Sequence, residues 1–197
     1  MKVDLSSVKQ LRETTGISVI ECKKALEEAG GDIEKALLLL KKRGMLVSEK
    51  KSMRETREGL IGAYVHLTGK IGVLIEVNTE SDFVARTEDF KELVKNLTLQ
   101  IAASNPSWID KNSIPKEVIS QQKGIIVEQF QGKNKPPAVI DKIVEGKLND
   151  FYKEHVLLEQ GYIKEETMTV KEYIDSKIAK LGENIKVKRF VRYEIGE

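Results

Sequence analysis

Residues that could carry covalent or metal chemistry are few and scattered in this sequence. The only cysteine, Cys22, falls on one helical face with Val19 and Leu26, which indicates a small buried hydrophobic residue. The two histidines, His66 and His155, lie far apart in the sequence, and we interpret both as structural. No group of Cys and His has zinc spacing. The sequence therefore predicts no catalytic residue and no metal site.

Nucleotide chemistry also lacks its usual signature. The sequence contains no Gly-x-x-x-x-Gly-Lys-Ser/Thr loop, whose backbone N–H groups would cradle phosphates. Asp and Glu residues are plentiful, but their scatter does not define a pair of acids for general acid–base work. We therefore predict a binding or regulatory protein with no cofactor, and not an enzyme.

Charge and composition narrow the choice of partner and compartment. The 33 Lys and Arg nearly balance the 31 Asp and Glu, for a net charge of +2, whereas proteins that mainly bind nucleic acid carry a larger basic excess. A single cysteine allows no intramolecular disulfide, which fits a reducing cytosol. No apolar run approaches the ~20 residues of a membrane span. These features predict a cytoplasmic protein without a membrane or direct nucleic-acid partner.

The first part of the chain has the pattern of three short helices. Apolar residues three apart predict a helix over Val3–Thr14, and Ser18 with Glu21 predicts a capping box at the start of the second helix. Asp32 is the expected N-cap of the third helix, and Gly44 its expected end. The apolar stripe of this third helix comprises Ile33, Ala36, Leu37 and Leu40. We predict a helical module with its linker over residues 1–52.

A basic stretch closes this module. Between Lys41 and Arg57 there are seven Lys or Arg residues and two Glu residues. The simplest interpretation is a solvated helical linker. The same stretch would be the RNA-binding surface if the protein worked on RNA.

Residues 53–197 have the pattern of a larger α+β domain. The runs Gly59–Leu67 and Ile71–Asn78 flank a turn with Gly69 and predict a β-hairpin, in which Ile71, Val73, Ile75 and Val77 alternate. Further elements are predicted as helices over 90–101, 115–131, 136–158 and 170–181, and as a strand over 185–195 whose Val187, Val191, Tyr193 and Ile195 share one side. The expected fold is a small antiparallel sheet packed by helices.

Two segments carry a family resemblance. Residues 11–26 read LRETTGISVIECKKAL, and residues 76–86 read EVNTESDFVAR. Both resemble signatures of the elongation factor Ts family in the correct order, and residues 182–190, GENIKVKRF, also resemble family members. Thr79 stands where a Cys is common and Ser81 where Thr is usual. The chain resembles short members, with one core subdomain where longer members have two.

The resemblance implies a function and a mechanism. Family members are translation elongation factors that exchange guanine nucleotide on elongation factor Tu. The N-terminal module would be a ubiquitin-associated-like three-helix fold that docks on the nucleotide domain of this partner. The Asp-Phe-Val segment would wedge near its magnesium and phosphate site, so that GDP leaves. The implied wedge residues are Ser81, Asp82, Phe83 and Val84, and the implied docking residues are Arg12, Val19, Ile20, Lys23 and Lys24.

Two local patterns agree with these assignments. Val19 and Ile20 are adjacent on a short helix and cannot both point inward, so at least one should be exposed. Phe83 follows a predicted strand and a Ser81 cap, where it would either pack beneath the next helix or project as an apolar wedge. The resemblance also implies that short members pair, which predicts a homodimer through the larger domain.

Three alternative functions remain open at this point. The chain could be a general protein-interaction module that recognises ubiquitin-like partners, an RNA-binding protein associated with the ribosome, or an enzyme without a visible motif. A pull-down separates the first from the exchange factor, and a steep salt dependence of RNA binding would support the second.

Overall fold

The computed structural model describes residues 4–130 and 136–196. Over these residues the chain forms eight α-helices and five strands. The chain divides into two compact units, of which unit 1 comprises Met1–Ala63, Leu74–Thr98 and Glu172–Val191, and unit 2 comprises Tyr64–Val73, Leu99–Lys171 and Arg192–Glu197. The predicted α+β class is confirmed.

Three helices open unit 1, as predicted. They are α1 (Leu5–Thr15), α2 (Val19–Glu28) and α3 (Ile33–Lys51), and their N-caps Asp4, Ser18 and Asp32 each accept a backbone N–H. Of the predicted capping box only the Ser18 half forms, because the Glu21 carboxylate pairs with Lys24 and Arg43. The predicted start at Val3 lies outside the described residues. The buried core between the helices comprises Val8, Leu11, Cys22, Ala25, Leu26, Ala36 and Leu40. The predicted burial of Cys22 is thus confirmed.

The predicted end of the third helix at Gly44 is wrong, because α3 continues to Lys51. Gly44 is buried in mid-helix, and a Cβ built on it would lie 3.8 Å from both the Ala179 Cβ and the Asp175 carbonyl oxygen. Both neighbours belong to a later helix, α8 (Val170–Leu181). A Cβ at this position would make ordinary van der Waals contacts with α8, so α3 continues through Gly44 despite the cost of ~1 kcal/mol that glycine carries in a helix interior. The predicted domain boundary at residues 52 and 53 follows the end of α3 and stays a prediction.

A three-stranded sheet follows, in the order β1 (Glu58–Val65), β2 (Ile71–Thr79), β5 (Ile185–Glu194). The hairpin closes where the His66 N–H donates to the Ile71 carbonyl at 2.8 Å. β5 runs antiparallel to β2, because its last residues lie beside the start of β2 and Arg189 pairs with Glu76 at 2.7 Å. The predicted alternation is confirmed in β2 for Val73, Ile75 and Val77, which are buried together with Thr79, whereas Ile71 is half-buried.

Gly59 in β1 is the position where only glycine fits. Its φ is +151°, and a Cβ would lie 2.1 Å from the Val77 carbonyl oxygen on the neighbouring strand. The backbone of β2 cannot move aside as a flexible side chain can. A larger residue at position 59 would therefore separate β1 from β2.

Two further helices pack in unit 1. They are the short α4 (Asp82–Ala85) and the first part of α5 (Glu88–Ser104), whose predicted apolar face is fully buried. That face comprises Phe90, Leu93, Val94 and Leu97 in unit 1, and Ile101 in the part of α5 that belongs to unit 2. Asp89 at the start of α5 accepts from Lys180 of α8 at 2.6 Å and pairs with Lys177 at 3.5 Å. These ion pairs fix α8, whose predicted range was correct.

The Asp89 cluster should make stability depend on pH. The hydrogen bond from Lys180 lowers the pKa of Asp89 below its ordinary value. A lowered folded-state pKa gives stability that is present above the unfolded value of ~3.9 and is lost as pH falls through the folded pKa. Asp89→Asn should therefore cost ~0.5–1 kcal/mol at pH 7 and less at pH ~3, which is below the unfolded value. Urea unfolding at both pH values measures this, and equal losses would contradict it. Glu88→Gln, on the same helical turn, is the control.

Unit 2 holds α6 (Lys116–Glu128), α7 (Pro137–His155) and a two-stranded sheet of β3 (Gly161–Tyr162) and β4 (Glu165–Thr169). The predicted helix end at Leu158 is wrong, because the Leu157 N–H donates to the Trp108 carbonyl at 2.8 Å and not into the helix. Gly161 belongs to β3, and neither β3 nor β4 was predicted. The predicted helix end at residue 131 lies outside the described residues.

Candidate functional site

The candidate wedge lies at a strand-to-helix turn in unit 1. β2 ends at Thr79, and α4 begins at Asp82. Between them Ser81 has extended backbone geometry, and its hydroxyl oxygen accepts the Val84 N–H at 3.4 Å. The predicted helix cap at Ser81 is therefore confirmed.

Neighbouring residues of α4 point in opposite directions. Phe83 is 78% exposed, so the interpretation that it packs beneath the helix is wrong in this structure. Val84 is 6% exposed and belongs to the core of unit 1, where it supports the turn. Asp82 is exposed and pairs with Arg86 at 2.8 Å. The turn thus presents one aromatic ring and one carboxylate to solvent, while a contact of Val84 with a partner stays a prediction.

A distant carboxylate anchors this turn. Glu183 accepts from the Thr79 hydroxyl at 2.9 Å, the Ser81 N–H at 3.0 Å and the Ser81 hydroxyl at 2.6 Å. Burial opposes ionisation of this carboxyl group, but the hydrogen bonds from Ser81 and Thr79 outweigh it and hold the pKa of Glu183 below its ordinary value. Charge-assisted hydrogen bonds of this kind are the stronger ones. Phe83 therefore projects from a firmly held support.

A second exposed apolar surface lies at the start of α2. Val19 is 48% and Ile20 66% exposed, which confirms that the two adjacent side chains cannot both enter the core. Arg12, Lys23 and Lys24 are exposed as predicted. Lys23 pairs with Glu27 at 3.8 Å and Lys24 with Glu21 at 3.3 Å, both as exposed pairs of low strength. Breaking either ion pair would therefore cost little free energy.

Comparison of the sequence with a family model and with individual known proteins gives the same family name. A family model described as Elongation factor TS matches residues 31–197. A protein named Elongation factor Ts from Coprothermobacter proteolyticus is 55% identical over the whole length of both chains, and one from Fervidobacterium nodosum is 51% identical over the same extent. The chain belongs to the elongation factor Ts family. A relative of this name from Thermotoga maritima is 52% identical over all of this chain and 98% of its own.

Membership places the chain among the translation elongation factors, in the family whose members act in guanine nucleotide exchange on elongation factor Tu. The family model covers the segment at residues 76–86. The full-length relatives also cover the segment at residues 11–26. The individual roles of the wedge and docking residues stay predictions.

The residue that anchors the candidate wedge has no role in the sequence analysis. Glu183 belongs to the segment GENIKVKRF, whose family resemblance assigns it no function. Its neighbour Asn184 is also engaged, since its N–H donates to the Glu80 carboxylate at 2.6 Å and its side chain donates to the Arg54 carbonyl at 2.9 Å. The segment's resemblance to the family was the one available signal.

Four of the seven Lys and Arg residues of the basic stretch contact partners within the protein. Arg43 pairs with Glu21 and Glu28 of α2, and Arg54 pairs with Glu80. The remaining engaged cations are Lys51, which donates to the Gly182 carbonyl, and Arg57, which pairs with Glu55. Cations that are neutralised by neighbouring acids are poorly suited to a phosphate backbone, which weakens the RNA-binding interpretation.

The described ranges, 4–130 and 136–196, contain no group of three or more His, Cys, Asp and Glu side chains placed to bind a metal ion. None of the helices described there combines the length and the apolar character needed to traverse a lipid bilayer.

Proposed function

We propose that this protein binds elongation factor Tu with GDP and promotes GDP release by displacing the magnesium ion of that partner. The observation that carries the proposal is the exposed Phe83 ring on a turn held by Glu183, in a chain of this family. An exposed aromatic side chain on a rigid turn loses little conformational freedom when it inserts into another protein.

The physical mechanism is reciprocal binding. A factor that binds the distorted or empty partner better than the GDP-bound partner must weaken GDP binding by the same ratio. Insertion of Phe83 would shift partner elements away from the magnesium ion, and Asp82 would disturb the polar groups beside it. Because magnesium neutralises phosphate charge, its loss removes much of the hold on GDP.

The chain itself needs no covalent chemistry for this role. Its part is to bind, to insert one side chain and to dissociate, so we assign no catalytic residue, no resident metal and no cofactor to it. Elongation factor Tu works in the cytoplasm, and we place this protein there.

The proposal is tested by release of fluorescent GDP from elongation factor Tu into excess unlabelled GDP, with and without this protein. Release should accelerate with factor concentration and then saturate. If magnesium displacement is the route, the ratio of stimulated to spontaneous release should fall as free magnesium is chelated, because chelation performs the same step. Unchanged release with the factor present rejects the function, and a magnesium-independent ratio rejects the route.

We further propose that the N-terminal module docks through a patch of Val19 and Ile20, with Arg12, Lys23 and Lys24 as a charged rim. An apolar centre with a polar rim is the usual anatomy of a protein–protein interface. The weak surface pairs of the two lysines leave them able to exchange partners. Ubiquitin-like recognition would use the same patch, and a pull-down against both kinds of partner distinguishes the two.

Ile20 should be the anchor of this patch, because it is the more exposed of the two apolar residues. Ile20→Ala should weaken binding to elongation factor Tu by ~1 kcal/mol, or about fivefold. Calorimetric titration measures this. Leu46→Ala, which truncates an exposed apolar residue of α3, is the matched control and should bind normally. A folded Ile20 variant with unchanged affinity would contradict the docking role.

We also propose that the protein is a homodimer through its larger domain. In unit 1, Ile61, Leu74 and Val191 are exposed on the strands, and the chain neighbours of each are less exposed. In unit 2 the exposed apolar residues of the strands and their ends are Val65, Leu67, Tyr193 and Ile195. Of the residues predicted to share one side of β5, Val191, Tyr193 and Ile195 are exposed, whereas Val187 is half-buried. Exposed apolar side chains on a sheet favour pairing with a second copy.

A further inference from the structure

We propose that Glu183 is a positioning residue for nucleotide exchange, which fixes the direction of the Phe83 side chain by clamping the turn that precedes α4. The inference rests on the proposed function of Phe83. In this proposal Glu183 makes no contact with elongation factor Tu and acts only through the turn that carries Phe83.

The need for a clamp follows from the local structure. α4 has four residues, too few for a helix to be stable by itself. The exposed Phe83 ring has few packing contacts that could set its direction. Its direction must therefore come from the backbone on either side of it, and the buried Val84 fixes only the C-terminal side.

Glu183 supplies the constraint on the N-terminal side. One carboxylate oxygen, Oε2, accepts from the Thr79 hydroxyl and the Ser81 N–H, and the other, Oε1, accepts from the Ser81 hydroxyl. The same Ser81 hydroxyl oxygen caps α4 by accepting the Val84 N–H. A single side chain thus joins the buried end of β2 to the first turn of α4.

The clamp is itself firmly mounted. Gly182 ends α8 with a φ of +80°, and its N–H donates to the Ile178 carbonyl at 3.0 Å. The Gly182 carbonyl accepts from Lys51 at the end of α3. On the other side Asn184 is 2% exposed and holds the Glu80 carboxylate and the Arg54 carbonyl. Residues 182–184 are therefore bonded to Lys51, Arg54 and Glu80 of unit 1. These contacts hold the backbone that carries the Glu183 side chain.

The first test measures positioning without the partner. Glu183→Ala should increase amide hydrogen exchange at Ser81 and Val84 by at least about tenfold, because the first loses its acceptor and the second its oriented cap. Exchange in the first part of α5, which lies in the same unit as Glu183, should stay unchanged, which shows that the fold of unit 1 is retained. Unchanged exchange at both turn amides would overturn the clamp.

The second test measures function through a double-mutant cycle. Glu183→Ala should slow maximal release of fluorescent GDP from elongation factor Tu about fivefold, with less than about a twofold change in the half-saturating concentration. If Glu183 acts through Phe83, the double variant with Phe83→Ala should be no slower than Phe83→Ala alone. Multiplied losses would overturn the proposal. Glu92→Ala, which removes an ion pair with Lys177 in the same unit, is the control and should release GDP normally.

A conservative variant adds a rescue arm. In Glu183→Gln the amide oxygen can accept from Thr79 and the Ser81 N–H, while the amide group donates to the Ser81 hydroxyl oxygen. This variant should stay within about twofold of the natural protein, whereas Glu183→Asp is too short to reach both residues and should behave like Ala. A Gln variant as slow as Ala would overturn the geometric role. If the natural protein does not stimulate release at all, the proposed function fails, while the hydrogen-exchange result still decides the clamp.

Discussion

Replacing Phe83 by Ala should slow the maximal rate of GDP release from elongation factor Tu by at least about tenfold, equivalent to ~1.4 kcal/mol of lost transition-state stabilisation. The ring is 78% exposed in the free protein, so its removal takes little from the fold. Its contacts would form as GDP and magnesium leave, and an interaction that strengthens along the reaction affects rate more than ground-state binding. Binding to nucleotide-free partner should therefore fall less than the rate.

Stopped-flow measurement over a range of factor concentrations separates the two quantities. Met53→Ala is the matched control, since it removes another highly exposed apolar side chain from unit 1 and should leave release unchanged. A Phe83 variant with normal maximal release and a raised half-saturating concentration would show that the ring is a binding anchor. That outcome would reject the wedge while leaving partner binding intact.

Local sequence patterns predicted the elements of this site well. Ser18, Asp32 and Ser81 are N-caps as expected, because a side-chain oxygen next to an apolar helical pattern satisfies backbone N–H groups within three residues. The alternating apolar residues of β2 are buried as predicted, because a strand places every second side chain on one face. Both signals depend only on near neighbours in the sequence.

The errors arose where distant residues decide the structure. Gly44 has the type expected at a helix end, yet α3 continues through it as a buried position that faces α8. The helix predicted to reach Leu158 ends at His155, because the following residues bond to the backbone at Trp108. Contacts across such separations leave no periodic mark in a single sequence.

In the candidate site, too, the features decided by near neighbours in the sequence were predicted and those decided by distant residues were not. The exposure of Ile20 follows from adjacency on a short helix, and the choice of Phe83 from its place between a strand and a cap together with the family resemblance. The anchor could not be found in this way, since Glu183 binds Ser81 across 102 positions of the chain. One carboxylate among 31 acidic residues carries no local sign of such a partner.

Introducing a charge at Leu74 should convert the proposed dimer into monomers. Leu74 lies on β2, the central strand of the sheet, and is 48% exposed in the single chain. Glutamate there would stay hydrated in a monomer, so the fold should tolerate Leu74→Glu. A symmetric interface presents the same residue from both copies, and each buried carboxylate would lack a partner. The cost should be at least ~3 kcal/mol, which weakens association roughly 100-fold or more.

Light scattering coupled to size exclusion at micromolar concentration measures the effect directly. The natural chain should elute with the mass of a dimer and Leu74→Glu with the mass of a monomer. Leu46→Glu makes the same change at an exposed apolar residue of α3 and should remain dimeric, because that helix lies outside the proposed interface. A monomeric natural chain would reject the dimer, and a dimeric Leu74 variant would place the interface elsewhere. Circular dichroism of the variant must match the natural chain, since an unfolded monomer would not test the interface.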